Sequence, residues 1–245
     1  MAYLSEFIGC LIFIGGGYAY MCNVSLKSTL IGKLNYIELC WAWSLAVGFG
    51  LAISVMMGGP GYLNPGVVFG NMVLGSLGIV EGLKYLAIEF VAAGCAVGLN
   101  IIFFWDSFKD SENMSKRGIF AAYPVKKNIP LNFVQEIIAT FAFLFIVFMG
   151  IGGVSNLKLG NDSVIVGLVG FAAVFFLALT FNGTGFSMNP MRSVFSSFWY
   201  SVFYIPGGKD RVDWGYQFLV NFLGSSIGAI LAVAATTAVK AALLQ

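Results

Sequence analysis

Gly58-Gly59-Pro60-Gly61-Tyr62-Leu63-Asn64-Pro65-Gly66 interrupts an uncharged run that extends from Leu39 to Val80. The run is about twice the ~20 apolar residues that one helix needs to cross a ~30 Å hydrocarbon core. A helix cannot continue through Gly-Gly-Pro-Gly, because proline lacks an amide N–H and its ring clashes with the preceding turn. The stretch beyond Asn64 is too short to cross and return. The spacing therefore predicts a half-helix that enters the membrane with Pro65 in its first turn. The same device recurs between Ser163 and Met191, where a span to about Phe181 gives way to a loop through Asn182-Gly183-Thr184-Gly185, and a second half-helix starts at Asn189-Pro190.

Outside these two breaks the chain is written for lipid. Of 245 residues, 59% are hydrophobic and 10% charged, whereas about a quarter are charged in an ordinary soluble domain. Further uncharged runs, Phe7 to Leu26, Phe90 to Trp105, Ile137 to Leu157 and Trp214 to Val239, bring the expectation to an all-α integral membrane protein with six spans and two half-helices. Its expected place is a cell membrane, with multi-pass insertion. A net charge of +2 with no basic stripe gives no reason to expect nucleic acid as a partner. The absence of histidine removes the commonest general base and zinc ligand. No nucleophile and base come together, so no enzyme, metal or cofactor is expected. Cys10, Cys22, Cys40 and Cys95 form no C-x-x-C pair and read as small core hydrophobes. An early Glu6 without a basic leader or cleavage site predicts that the first apolar run stays in the membrane.

The two halves repeat. Glu6-Phe7-Ile8-Gly9 with Phe13 and Gly15-Gly16 matches Glu136-Ile137-Ile138-Ala139 with Phe143 and Gly152-Gly153. An Asn-Pro pair comes next in each half, and Glu89-Phe90-Val91 corresponds to Asn221-Phe222-Leu223. Within a single domain 1–245, residues 1–105 form one repeat and 132–245 the other. Each has three spans and a half-helix. Because three is odd, the second repeat enters from the opposite side, which inverts it and points the half-helix N-termini at each other. The connector 106–131 carries Asp106, Lys109, Asp110, Glu112, Lys116, Arg117, Lys126 and Lys127 and reads as a solvated loop.

With these residues in place, the chain resembles the aquaporin and glycerol-facilitator family, the major intrinsic proteins, over essentially its whole length. Leu63-Asn64-Pro65-Gly66-Val67 is similar to that family's first Asn-Pro-Ala box, and Thr184 to Arg192, with Asn189-Pro190-Met191, to its second. Gly66 and Met191 stand where the boxes carry alanine. Glu6 and Glu136 stand where the family carries paired glutamates that support the loops. Trp105 to Pro130 and Asp213-Trp214 are most similar to a branch from lactic acid bacteria. The resemblance implies an aquaporin-like fold, a homotetramer in the lipid bilayer and a cytoplasmic N-terminus. It implies passive diffusion of water and small neutral solutes, glycerol first, with protons and ions excluded.

A polar solute crossing hydrocarbon needs donors and acceptors on one wall and apolar surface on the other. The Asn64 and Asn189 amides, the half-helix dipoles and the unwound backbone before each box can supply the polar wall. Arg192 resembles the family's selectivity arginine, and Phe186 its aromatic wall. The third filter position is open between Val47 and Trp43, one helical turn apart on one face. Counting back from Asn189 makes Leu177 the fourth. Glu89 stands open between supporting a loop, contacting another subunit and marking the end of a span. Gly59-Pro60-Gly61-Tyr62 is shorter than the family's segment before the first box, and Ser193-Val194-Phe195 replaces Asp-Phe-Gly-Pro after the second. These departures bear on solute range, where hydrogen peroxide and undissociated lactic acid stand beside glycerol. The competing class is a secondary transporter, which also uses inverted repeats but requires more intramembrane ionisable groups. A cytoplasmic N-terminus places Lys27, Lys33, Lys109, Lys116, Arg117, Lys126, Lys127, Lys209 and Arg211 outside, against Lys84, Lys158 and Lys240 inside, the reverse of the positive-inside rule.

Overall fold

The computed structural model describes residues 1–111, 116–157 and 162–243; Glu112 and Lys158 lie outside them. Helix α1 covers Ala2–Ser25, α2 Tyr36–Met56, α3 Pro65–Val73 and α4 Ile79–Phe103. Two short helices come next, α5 at Trp105–Asp110 and α6 at Arg117–Phe120. Helix α7 covers Ile129–Leu157 and α8 Asp162–Thr180. The next helix, α9, opens as a π turn over Met191–Phe195 and continues as an α-helix over Ser196–Val202. The last, α10, runs over Trp214–Leu243 with a π-helical stretch at Gln217–Gly224. Among the described residues six helices, α1, α2, α4, α7, α8 and α10, are long and apolar enough to cross a membrane. The short α3 and α9 are the half-helices that the two Asn-Pro breaks predict.

Small residues let the spans approach to backbone contact, as expected where packing replaces the hydrophobic effect as the force between helices. On α1 and α2, a Cβ at Gly9 would lie 2.9 Å from the Gly50 carbonyl, and one at Gly50 would lie 2.7 Å from the Gly9 carbonyl. On α2 and α8, Gly48 and Gly167 are related in the same reciprocal way, at 2.9 and 2.7 Å. Helix α2 is thereby clamped between α1 and α8, and its intervening face is turned inward.

Each half-helix seats against the last span of the opposite half. Helix α3 packs on α10, where a Cβ at Gly66 would meet the Ala229 Cβ at 2.7 Å and one at Gly70 would meet Val233 at 2.8 Å. This contact explains the missing alanine of the first box: Ala229 already fills its space. Helix α9 packs on α4, with the Trp199 indole over Gly94 and its N–H donating to the Phe90 carbonyl at 2.8 Å.

The connector differs from the solvated loop its charges suggest. Phe108 and Phe120 are fully buried, Phe120 against Tyr18 and Tyr200. Lys116 is also buried, its ammonium donating to the carbonyls of Phe108 (2.8 Å), Pro206 (3.0 Å) and Gly208 (3.2 Å). Three N–H donors meeting three carbonyls satisfy a lysine without water. Burial pulls the Lys116 ammonium below its usual range, with Asp210 opposing that shift. Arg117 pairs with Asp210, Lys127 pairs with Asp213, and Lys209 caps the carbonyls that end α9. Several cations that a count along the sequence treats as free loop charges are therefore engaged in holding this face together.

Gly48→Val is expected to lower the thermal unfolding midpoint in detergent, because a Cβ there already lies 2.9 Å from the Gly167 carbonyl and 3.1 Å from the Phe171 Cβ. Overpacking of this kind costs about 1–3 kcal/mol. A midpoint equal to the parent's would show that α2 and α8 do not cross at Gly48.

Candidate functional site

The site is built where the two half-helices meet. Asn64 caps α3, its side-chain oxygen accepting from the Gly66 N–H at 2.9 Å, and Asn189 caps α9 through the Met191 N–H at the same distance. Each asparagine also reaches across to the other half. The Asn64 amide donates to the Met188 carbonyl at 3.0 Å, and the Asn189 amide donates to the Leu63 carbonyl at 2.7 Å. An amide nitrogen carries two hydrogens, so each side chain retains a donor after capping and crossing.

The residues that receive these bonds are held in an unusual backbone conformation. Leu63 and Met188 both have positive φ, 48° and 49°, and Phe186 has 62°. Non-glycine residues there cost of order 1–3 kcal/mol and persist only where the surroundings fix them. Two buried carboxylates do the fixing. Glu6 accepts from the N–H groups of Leu63 (2.5 Å) and Tyr62 (3.2 Å), and Glu136 accepts from the Met188 N–H (2.5 Å). A carboxylate is the strongest neutral-pH acceptor available for a buried amide. With their N–H groups held from behind, Leu63 and Met188 turn their carbonyls toward the opposite asparagine.

A cavity of about 500 Å³ runs past this junction. One wall is a stripe on α2, Trp43, Val47, Leu51 and Val55, spaced four residues apart. At 1.5 Å per residue it is about 18 Å long. Phe143, Val147 and Phe148 of α7 continue the apolar surface. The cavity's polar lining is Asn64, Asn71, Asp162, Asn189, Arg192 and the unwound segments Gly59 to Leu63 and Phe186 to Met188. Trp43 and Val47 therefore line the same passage at successive turns. Trp43 is the one beside Arg192, its ring 4.8 Å from the guanidinium carbon. The absent side chain of Gly17 makes room for the Trp43 ring, and Phe13 and Tyr18 meet it edge-on.

Arg192 is buried, with its Nε unpartnered among the described residues and only a long 3.4 Å contact from Nη1 to the Ser193 hydroxyl. Its main chain is fixed instead: the Tyr18 hydroxyl donates to the Arg192 carbonyl at 2.5 Å. The guanidinium thus faces the cavity with donors to spare. Phe186 lines the cavity close by.

Leu177, the expected fourth wall, sits in a core cluster. It is fully buried in a small cluster with Ala139 and Met188, and Val174, nearly one turn earlier on α8, lines the cavity in its place. A count back from Asn189 sets a sequence distance, but the turns between Thr180 and Asn189 decide which face of α8 looks inward. Met191 is likewise buried in the core, behind the cap made by its own N–H.

Other residues of the site escaped the sequence reading. Ser193 receives the Ala122 N–H at 3.2 Å and shares a hydrogen bond with Ser187 at 2.8 Å, which ties the connector to the second box. Gln217 and Asn221 both donate to the Ala122 carbonyl, at 3.2 and 2.9 Å. Two amides at i and i+4 in an apolar run were the available signal, since such a pair falls on one helix face.

Comparison with known proteins agrees with this architecture. Residues 1–235 match the model of the family described as major intrinsic protein. The chain is 31% identical over 242 residues to glycerol uptake facilitator protein 2 of Lactiplantibacillus plantarum, covering 97% of this chain and 99% of that protein. It is 29% identical over 234 residues to the glycerol uptake facilitator protein of Streptococcus pneumoniae, covering 93% and 94%. Its fold superposes on the X-ray structure of the aquaglyceroporin from Plasmodium falciparum with a TM-score of 0.75 at 20% identity, over 99% of this chain and 97% of that one.

Glu136→Ala is expected to lower the thermal midpoint in detergent, since the buried Met188 N–H loses its acceptor at a cost of about 1–3 kcal/mol. An unchanged midpoint would mean that the carboxylate does not hold the second box.

Proposed function

The chain belongs to the major intrinsic protein family, and from that premise we propose that it is a multi-pass membrane channel through which water, glycerol and other small neutral solutes diffuse passively. The observation that carries this reading is the reciprocal pair of hydrogen bonds between Asn64 and Met188 and between Asn189 and Leu63. They set two helix N-termini and two spare amide donors on one wall of a passage whose other wall is apolar. A solute oxygen can exchange its water partners for those amides, while its carbon skeleton lies against the α2 stripe. The paired N-terminal dipoles and the Arg192 charge oppose cations, including hydronium.

In this reading Arg192, Phe186 and Trp43 form the constriction, with Val47 and Val174 lining the passage beyond it. Glycerol uptake by the named relatives supports glycerol as the leading solute. The repeats 1–105 and 132–245 are oppositely inserted, the N-terminus is cytoplasmic, and four copies assemble, each with its own passage. No step requires a catalytic group.

Purified protein in liposomes is expected to raise glycerol and water flux linearly with concentration and to carry no proton current. A panel with urea, hydrogen peroxide and lactic acid across pH defines the solute range. Saturation coupled to a proton or sodium gradient would replace the channel with a transporter.

Arg192→Ala is expected to leave the fold intact, because the half-helices stay seated by Glu6 and Glu136. Flux of polyols larger than glycerol should rise about tenfold, equivalent to ~1.4 kcal/mol at the constriction. Loss of the folded protein, with selectivity unchanged in what survives, would make Arg192 a structural residue.

A further inference from the structure

Three glutamates are fully buried among the described residues, Glu6, Glu89 and Glu136, and Glu89 is the one that the passage does not employ. It lies on α4 with neither carboxyl oxygen engaged by a hydrogen-bond donor among the described residues. The Glu6 carboxyl and the backbone N–H of Asn64 face it. A carboxyl oxygen of each glutamate and the Cys10 sulfur lie within 4.8 Å of one another. Glu6 already accepts the Tyr62 and Leu63 N–H groups, a role that suits the ionised form.

A second negative charge on Glu89 would stand unpaired in a low-dielectric interior beside the first. Among the described residues, the titratable groups that face the pair offer no cation. They are Cys10 from α1, Tyr62 from the loop, and Tyr85 from α4 itself. Helix α3 carries no ionisable residue. From α9, Arg192 interacts with Tyr18 and Glu136, and Tyr200 with Asp210. The Asn64 N–H is a neutral donor and cannot balance a second charge, so with no cation facing the pair a proton is what removes that charge.

We propose that Glu6 and Glu89 share one proton, with Glu89 held as the neutral acid and its O–H directed at the Glu6 carboxylate. Glu89 is then a positioning residue. It orients Glu6, Glu6 holds the Leu63 N–H, and the Leu63 carbonyl receives Asn189. The corresponding residue of the second half is Asn221, a side chain that is neutral at any pH. Charge at this place in the fold is therefore absent from both halves, by chemistry in one and by protonation in the other. Removing the proton at alkaline pH sets two carboxylates against each other and loosens the first box.

The test uses the full-length protein in liposomes. Infrared difference spectra at neutral pH between the parent and Glu89→Gln should show the carbonyl stretch of a buried protonated carboxylic acid, present in the parent, lost in the variant and shifted in deuterium oxide. This readout does not depend on which solute is carried, so it fails separately from the channel reading, on which the flux measurement rests. Glycerol flux of the parent should fall severalfold at strongly alkaline pH and recover on return to neutrality. Glu89→Gln, which keeps a neutral donor, should retain neutral-pH flux within about twofold, with that pH dependence gone. If Glu89→Gln does not fold, the alkaline titration of the parent decides alone, with the protonated-acid band expected to disappear as flux falls. Absence of that band from the parent at neutral pH, or its persistence in Glu89→Gln with the alkaline response unchanged, overturns the proposal.

Discussion

Everything in this molecule depends on two buried N–H groups, those of Leu63 and Met188. Each belongs to a residue with positive φ immediately before an Asn-Pro pair, and each is held by a carboxylate on the first span of its own half. With the N–H groups occupied, the carbonyls face the opposite asparagine and the two half-helices lock end to end. Water could satisfy such groups at a surface, but inside a bilayer only the protein can. The conformation that joins the half-helices is therefore stable only with Glu6 and Glu136 behind it.

The passage is a consequence of that lock. Because capping and crossing occupy the asparagine oxygens and one hydrogen each, the remaining donors are left at the junction, free to meet a solute. The unwound backbone that leads into each box lines the same cavity. The opposing wall comes from a different device, the glycine contacts that turn the Trp43 to Val55 face of α2 inward. Polar and apolar walls are thus set by separate parts of the sequence, and solute range can change through the second without disturbing the first. Replacement of the box alanines fits this separation: Gly66 answers to Ala229 across the helix interface, and Met191 to the core.

Much of this is legible from residues alone. Proline after asparagine in two apolar runs too long for one span and too short for two marks the half-helices. The recurrence of Glu6 as Glu136 marks their supports. Arg192 and Phe186 stand against the cavity because their distance from Asn189 is only three residues, over which little can vary. The place of Leu177 is less legible, because ten residues, Phe181 to Pro190, separate Thr180 from Met191, and sequence distance across turns does not fix the rotation of a helix. The buried connector is hidden for another reason. Lys116 has the composition of a surface residue, and nothing in its neighbours shows that three carbonyls, two of them some 90 residues away, will take its protons. The choice between Trp43 and Val47 is not exclusive, since residues four apart share a face, and only the Gly17 notch singles out Trp43 as the neighbour of Arg192.

The central claim is that the asparagine junction itself handles the solute. An electron cryomicroscopy map of the full-length protein in lipid nanodiscs containing glycerol tests it most directly. The account predicts ordered density in single file along the α2 stripe, with one solute oxygen within hydrogen-bond distance of both the Asn64 and Asn189 side-chain nitrogens. Half-helices that stand apart, or solute density confined to a site away from both asparagines, would contradict it.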